Sequence, residues 1–379
     1  MRVIILGYGV SGQAAERHFL SLGMQPIILQ NDQPFDFQDD DLVIKSPGIR
    51  PDHPWVRAAK NFVEEAELGL QRLKGKVLGI TGSNGKTTTT LLVAHVTGGI
   101  ACGNVGKALL DVPEAEIYVV ELSSFQLMGI KGGSYFDAAC ILNITTNHLD
   151  WHRSWEEYVG AKLHLADCMK KNAPLFVSDK KYGFEIFDER LESIFGVSYR
   201  DERFHVMPHD RQNIAAAFAL CQSVGVTKEQ FLERLATFKK PPHRMEFVAT
   251  QKGIDFINDS KATSIDAVKK ALASVRKPVH LIAGGVDKGG SFRELLAIGS
   301  LRSVFALGQA AERIENELKD ALTVTKISSL EEGVTQARLR AQAGECVLLS
   351  PGCSSYDQFR NFEERGEKFK EFVLNEGKG

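Results

Sequence analysis

The apolar run Lys76–Ile80 leads straight into Thr81-Gly82-Ser83-Asn84-Gly85-Lys86-Thr87-Thr88 and then into a helical stretch. A strand, a glycine loop and a helix in that order turn loop N–H groups inward. The helix adds the positive end of its dipole. Lys86 supplies a point charge, and Thr87 supplies a hydroxyl suited to Mg²⁺. The expected guest is a nucleoside triphosphate. Neither Gly82 nor Gly79 leaves four residues before Gly85, so the spacing departs from the usual phosphate loop. The bland alternative is a glycine turn before an ordinary helix.

A chain of 379 residues has room for two or three domains. Its 43% hydrophobic and 25% charged residues are ordinary for a water-soluble protein. A net charge of −2 gives no electrostatic reason to expect nucleic acid or an anionic membrane as partner. The six cysteines form no C-x-x-C pair, which fits a reducing compartment. Met1 runs directly into a strand, and no run reaches the roughly 20 apolar residues of a membrane span. The expectation is a cytoplasmic enzyme without membrane insertion. No long heptad seam appears, so a monomer is expected.

Strands and helices alternate along the chain, which predicts an α/β protein with parallel sheets. Val3–Leu6, a helix to about Leu22, Pro26–Leu29 and Leu42–Ile44 make a first β-α-β unit over residues 1–70. Val77–Ile80, Ile117–Val120 and Ala138–Ile144 are the strands of a second unit, 71–241, with an alanine-rich helix at Asn213–Val224. Pro241-Pro242 marks a hinge. Beyond it, Asp255–Ile257, Val279–Ala283, Ser303–Leu307 and Cys346–Leu349 predict a doubly wound unit over 242–379. In an open parallel sheet ligands bind beyond the carboxyl ends of the strands. The polar clusters at Thr81–Ser83, Glu121–Ser124 and Thr145–His148 are therefore expected at one crevice.

Other constellations are weaker in isolation. Gly7-x-Gly9-x-x-Gly12 follows a strand and precedes a helix, and Asp32 stands where a ribose-binding acid is expected. Alone it supports an NAD-dependent oxidoreductase, or only a tight turn. Glu121, at a strand end, suits Mg²⁺, which takes one or two protein oxygens beside phosphates and water. His148 and His152 stand at i, i+4, but Leu149 replaces the glutamate of a zinc hydrolase motif, so a single metal or substrate contact by His148 is expected, with His152 at the surface or in packing. Lys162 reads as an ordinary solvated helix residue. Three loops at strand ends carry Lys261, Lys288 and several hydroxyls, which suits a small anionic substrate.

Thr81–Thr87, Glu121, Asn147-His148-Leu149-Asp150 and His243-Arg244 resemble the shared signatures of the Mur ligases, ATP-dependent amide-forming enzymes of peptidoglycan synthesis. Glu121–Leu127, Asn258–Thr263, Gly284–Gly289 and Ser354–Gly366 are similar to the members that add D-glutamate to UDP-N-acetylmuramoyl-L-alanine. The resemblance implies a Rossmann-like N-terminal domain for the uridine diphosphate, a central P-loop-type ATPase domain and a C-terminal Rossmann-like domain for the amino acid. Gly82, Ser83, Asn84, Gly85, Lys86, Thr87, Thr88, Asn213, Arg244 and Asp259 match its ATP contacts. Val10, Ser11, Gly12 and Asn104 match contacts to the nucleotide-linked substrate. Lys261, Thr263, Lys288, Ser355 and Phe362 match the D-glutamate pocket. Thr87 and Glu121 match ligands of one Mg²⁺, and His148 and Lys162 match a second metal site whose lysine is carbamylated in the family. Lys86, Glu121, His148 and Lys162 are thus the catalytic candidates.

The sequence departs from the family pattern at Gln30, where an aspartate is expected, and at Asn147 and Trp151. Asn104 follows Lys86 by only 18 positions, which implies a trimmed connection. The resemblance implies an acyl phosphate on the alanine carboxylate, attack by the amine of D-glutamate, and closure of the C-terminal domain about Pro241-Pro242. Three rivals stand beside it: a ligase for another amino acid or for folate, an NAD-dependent oxidoreductase, and a non-catalytic nucleotide-binding protein.

Overall fold

Apolar runs become strands, and polar-capped stretches between them become helices, in the computed structural model. It describes residues 1–30, 33–145, 151–178, 185–186, 208–287 and 289–375, with backbone alone for 185–186 and 208–210. The chain divides into two compact units, Met1–Lys239 and Lys240–Gly379.

The first unit contains two sheets. Its amino-terminal part runs β1 (Val3–Leu6), α1 (Val10–Ser21), β2 (Ile27–Leu29), β3 (Leu42–Lys45), α2 (Pro54–Ala58), β4 (Phe62–Glu64) and α3 (Glu65–Leu70). The strands are parallel in the order β2-β1-β3-β4, with Ile4 opposite both Ile27 and Val43. All four residues of β1 are buried, the pattern of a strand covered on both faces. Gly12 lets α1 lie close to the preceding loop, because a Cβ there would stand 2.1 Å from the Gly7 carbonyl oxygen.

The second sheet is built from β5 (Lys76–Thr81), α4 (Lys86–Thr97), β6 (Ile100–Gly103), β7 (Ile117–Glu121), α5 (Ser124–Gly129), β8 (Ala138–Ile141), α6 (Trp155–Leu163), β9 (Leu175–Val177), β10 (Glu185–Ile186), α7 (Pro208–Ser223) and α8 (Lys228–Leu235). Its strands are parallel in the order β10-β9-β8-β5-β7-β6. One face packs Leu78, Ile80 and Val119 against Leu92, Val93, Ile214, Leu220 and Phe231. The other packs Val77, Val120 and Ile141 against Leu70, Leu127, Phe136 and Leu165. Each such side chain contributes about 1.5–3 kcal/mol on burial. Because β7 and β8 flank β5, the loops after all three strands leave the sheet side by side, the arrangement that opens a ligand crevice.

The second unit runs β11 (Glu246–Gln251), β12 (Ile254–Asn258), α9 (Ile265–Ser274), β13 (Val279–Gly284), β14 (Leu301–Leu307), α10 (Ala311–Leu318), β15 (Thr323–Lys326), α11 (Leu330–Arg340), β16 (Cys346–Leu349) and α12 (Phe362–Asn375). The order is β11-β12-β16-β13-β14-β15. The sheet is parallel as expected from β12 to β15, and β11, a strand the sequence reading did not include, pairs antiparallel with β12 at its edge. The cause is local. Lys252 and Gly253 both take positive φ, 52° and 79°, and form a two-residue turn whose twist suits a hairpin. Among the described residues no helix is long and apolar enough to cross a membrane.

Candidate active site

The loop after β5 is held by the loops after its two neighbours. Thr81 Oγ1 donates to the Leu122 carbonyl at 2.8 Å, and Ser83 N donates to the Asn143 carbonyl at 2.7 Å. Asn84 N donates to Asn143 Oδ1 at 3.0 Å. Two of the loop's N–H groups are therefore spent on its own architecture. Ser83 Oγ donates to the Thr145 carbonyl (2.9 Å) and accepts from Thr145 N (2.9 Å), so Tyr158, 2.6 Å away, is the donor to it. Gly85 opens α4 in the left-handed region at φ 83°, and a Cβ there would stand 2.0 Å from Asn213 Oδ1. The close approach of Asn213, 3% exposed on α7, therefore requires a glycine. The first turn that follows carries the half-buried Lys86, Thr87 and Thr88. Its N–H groups find no carbonyl within the helix.

Two lysine heads converge on this loop. Lys86 Nζ donates to the carbonyls of Gly82 (2.9 Å) and Ser83 (3.2 Å), and Lys162 Nζ donates to Gly82 at 2.9 Å. Lys162 is 1% exposed, and its ammonium lies 4.7 Å from the centre of the Tyr158 ring. Burial holds its amine well below the usual lysine range. The Lys86 charge pushes the same way, and Glu121 opposes both. The solvated-face reading of Lys162 is thereby corrected. The helix turns this lysine inward beside Tyr158, one turn earlier in α6. Two cations sharing one carbonyl are a disfavoured arrangement unless an anion arrives or one amine is neutral.

Glu121, at the end of β7, is 1% exposed. Its Oε1 accepts from Asn104 Nδ2 at 2.8 Å, and Asn104 N donates to the Glu121 carbonyl at 2.8 Å. Glu121 Oε2 is buried without a hydrogen-bond partner among the described residues. An orphaned carboxylate oxygen at the end of β7, the strand beside β5, fits a divalent cation. Among the described residues no group of three or more His, Cys, Asp or Glu gathers as for a metal ion. His148 and Lys288 lie outside the described residues, as does Asp32. His152 is buried and bonds Ser124 Oγ at 2.9 Å through Nε2, a packing role at the start of α5.

At the amino-terminal sheet, Val10 is 69% exposed at the start of α1. Ser11 hydrogen-bonds Glu65, whose carboxyl is raised by burial and lowered in part by the Leu110 N–H and that hydroxyl. Ser46 Oγ donates to the Gly7 carbonyl at 3.2 Å.

In the second unit the loops after β12, β13 and β16 are tied together. Asp259 N donates to the Leu349 carbonyl at 2.7 Å, and Asp259 Oδ2 accepts from Ser350 Oγ at 2.9 Å. Burial raises the Asp259 carboxyl to about 7, against the Ser350 hydroxyl, the Met245 N–H and the Arg244 charge. Arg244 stands between His243 and Met245, both at positive φ (62° and 45°), a costly backbone for non-glycine residues. Val286 and Ser354 pair antiparallel, joining the Gly284 loop to the one carrying the buried Ser355. Lys261 Nζ lies 3.6 Å from the centre of the Phe362 ring. Thr263 follows on the same half-buried loop.

Tyr158, Asn143 and Arg365 escaped the sequence reading. Arg365, 1% exposed, donates to Ser260 Oγ (3.0 Å) and to the carbonyls of Ser260 (2.9 Å) and Cys353 (3.2 Å), binding two loops with one side chain. Spacing offered a signal only for Tyr158, which lies four residues before Lys162. Other chemistry has less support. Ser303, His280 and Glu345 are spaced like a hydrolase triad, at 2.8 and 2.9 Å, but Ser303 is 2% exposed in the amino-terminal half of β14. All six cysteines are buried, and burial raises each thiol, so none is poised as a nucleophile.

The Mur ligase middle domain model matches residues 80–213, and the model for the Mur ligase glutamate ligase domain matches 243–353. UDP-N-acetylmuramoylalanine–D-glutamate ligase of Protochlamydia amoebophila is 37% identical over 98% of this chain and 97% of its own length. The ligase of that name from Chlamydia pneumoniae is 38% identical over 97% of each. The first alignment runs to 433 positions against a chain of 379, so that relative carries insertions this chain lacks. Among solved structures, UDP-N-acetylmuramate–alanine ligase MurC of Thermotoga maritima superposes with TM-score 0.61 at 16% identity, covering 99% of this chain and 100% of that one. The MurF ligase of Thermotoga maritima in complex with ADP gives 0.59 at 18%, covering 99% and 95%. At those identities the likeness concerns the fold.

Proposed function

The chain belongs to the Mur ligase family, and from that premise we propose that it joins D-glutamate to UDP-N-acetylmuramoyl-L-alanine at the expense of ATP, in the cytoplasm. The observation that carries the reading is the convergence of Lys86 and Lys162 on the Gly82 carbonyl near the orphaned Glu121 carboxylate. Such a site suits a polyphosphate with a divalent cation. The relatives' common name supports the choice of D-glutamate.

In this reading the domains are 1–70 for the uridine diphosphate, 71–241 for ATP and 242–379 for the amino acid. The alanine carboxylate attacks the γ-phosphorus, and ADP leaves. The amine of D-glutamate then attacks the acyl carbon and loses a proton, and the tetrahedral intermediate expels phosphate to leave the amide. Lys86 and the positive end of α4 offset the repulsion between two anions, the main electrostatic obstacle. Thr87 and Glu121 would hold one Mg²⁺, and His148 with Lys162 a second. Bound there, Mg²⁺ supplies charge neutralisation to the phosphoryl oxygens. The depressed Lys162 amine supports carbamylation: the neutral nitrogen attacks CO₂ and releases a proton, leaving a carbamate whose anionic oxygens would suit a cation. Lys261, Thr263, Lys288, Ser355 and Phe362 receive D-glutamate. Lys261, whose ammonium lies over the Phe362 ring, supplies the positive charge that an acidic substrate calls for.

The test is phosphate release from ATP and Mg²⁺ with UDP-N-acetylmuramoyl-L-alanine and each of D-glutamate, L-glutamate and L-lysine. Release that needs both the nucleotide substrate and D-glutamate is the expected result. Release with L-lysine instead would leave the ligase reading standing and overturn the amino acid.

A further inference from the structure

Lys45 and Glu64 end the neighbouring strands β3 and β4. No step above uses them. They are 1% and 0% exposed, and their side chains form an ion pair. Glu64 Oε2 is buried without a hydrogen-bond partner among the described residues. Burial raises the Glu64 carboxyl to about 7, against the pull of the Lys45 charge. Removing two charges from water is costly, and a well-packed apolar pair commonly stabilises a fold as well or better. Stability alone is therefore a poor explanation for the pair.

The geometry of Lys45 offers another. Its Nζ donates to the Ile49 carbonyl at 2.9 Å and makes a longer contact of 3.4 Å with the Ser46 carbonyl. It thus closes the turn Ser46-Pro47-Gly48-Ile49 from inside, alongside the Ile49 N–H to Ser46 carbonyl bond at 3.0 Å. That turn is the wall of the first glycine loop. Ser46 Oγ bonds the Gly7 carbonyl, and a Cβ on Gly7 would meet Ser46 at 3.4 Å and Ile49 at 3.5 Å. Past the turn, the Arg50 guanidinium lies 5.8 Å from the Trp151 ring centre, and Asp52 pairs with Arg153 at 3.3 Å. The strap that Lys45 anchors therefore reaches from the glycine loop to residues 151–153.

We propose that Lys45, charged and held by Glu64, is a positioning residue for the nucleotide-linked substrate, fixing the Ser46–Ile49 turn on which the Gly7–Gly12 loop is seated. The inference rests on the reading that this loop receives the uridine diphosphate. Glu64 serves as the counter-ion that lets an ammonium stay buried behind the turn. An apolar replacement fills the space but leaves the Ile49 carbonyl without its donor.

The full chain is tested as wild type, Lys45→Met and the double variant Lys45→Met/Glu64→Gln, which removes both charges. KM is measured for UDP-N-acetylmuramoyl-L-alanine and for ATP, with kcat and the thermal midpoint. Both variants are expected to raise KM for the nucleotide-linked substrate about tenfold or more, from the loss of a charge-assisted hydrogen bond. KM for ATP and kcat are expected to stay within about twofold. The double variant is expected to recover thermal stability lost by the single one, with KM still raised. A double variant that regains both the midpoint and the wild-type KM makes the pair purely structural and overturns the inference. Unchanged KM in both variants does the same. A wild-type chain that does not turn over the uridine nucleotide overturns the functional reading itself, which distinguishes the two failures.

Discussion

Lys86→Ala is expected to reduce ATP-dependent amide formation by about three orders of magnitude or more, as loss of a preorganised charge at a transferring phosphoryl group does. The fold is expected to survive. Lys86 is half-buried on the first turn of α4, and its ammonium bonds the Gly82 and Ser83 carbonyls of its own loop. Losing those bonds costs about 0.5–1.5 kcal/mol each, and 1 kcal/mol shifts the midpoint by about 2–4 °C in a unit of this size. The measurement pairs kcat/KM from phosphate release with a thermal melt. A large loss of turnover with a small shift in midpoint supports the phosphate-loop role. Near-normal turnover would remove Lys86 from the chemistry and return the loop to an ordinary turn.

Lys162→Ala is expected to be nearly as damaging, about a hundredfold or more, and to be rescued in part by formate or acetate. The wild-type chain is expected to lose activity when CO₂ is stripped from the buffer and to regain it when bicarbonate returns. The variant is expected to ignore both treatments. The depressed amine gives the sign of a separate pH effect. A lysine whose folded pKa lies below its unfolded value binds fewer protons when folded, so its burial costs most below the folded pKa. Stability therefore rises with pH between the folded value and the ordinary lysine range, and Lys162→Ala flattens that slope. A variant that keeps normal turnover, or whose slope matches the wild type, would place Lys162 outside the site.

Much of this arrangement was legible in the residues. Val3–Leu6 and Cys346–Leu349 were read with the bounds the structure gives them, because each is an apolar run closed by glycine or by serine and proline. The crevice beyond β5, β7 and β8 follows from apolar strands ending in polar clusters. What escaped had weaker signals. β15 (Thr323–Lys326) lies on a sheet edge with no residue buried, so it lacks the apolar run that marks a central strand. β11 escaped because the first position of its hairpin turn is Lys252, which does not favour positive φ, so Lys252-Gly253 lacks the Asn-Gly or Asp-Gly signal of a hairpin. The inward turn of Lys162 was invisible in isolation, since helix spacing says which residues share a face but not which face is covered. Glu64 and Lys45 were passed over for the same reason: two ordinary charges, 19 positions apart, become neighbours only when β3 and β4 pair.

The most direct measurement follows an oxygen atom. UDP-N-acetylmuramoyl-L-alanine labelled with ¹⁸O in its carboxylate is incubated with the chain, ATP, Mg²⁺ and D-glutamate, and the released phosphate and the nucleotide product are weighed by mass spectrometry. If the carboxylate attacks the γ-phosphorus and the amine then displaces phosphate, one labelled oxygen leaves in the phosphate and the other stays in the amide. That transfer, dependent on D-glutamate and lost in Lys86→Ala, is the predicted result. Unlabelled phosphate, or a product that keeps both labelled oxygens, would contradict activation of the carboxylate by ATP.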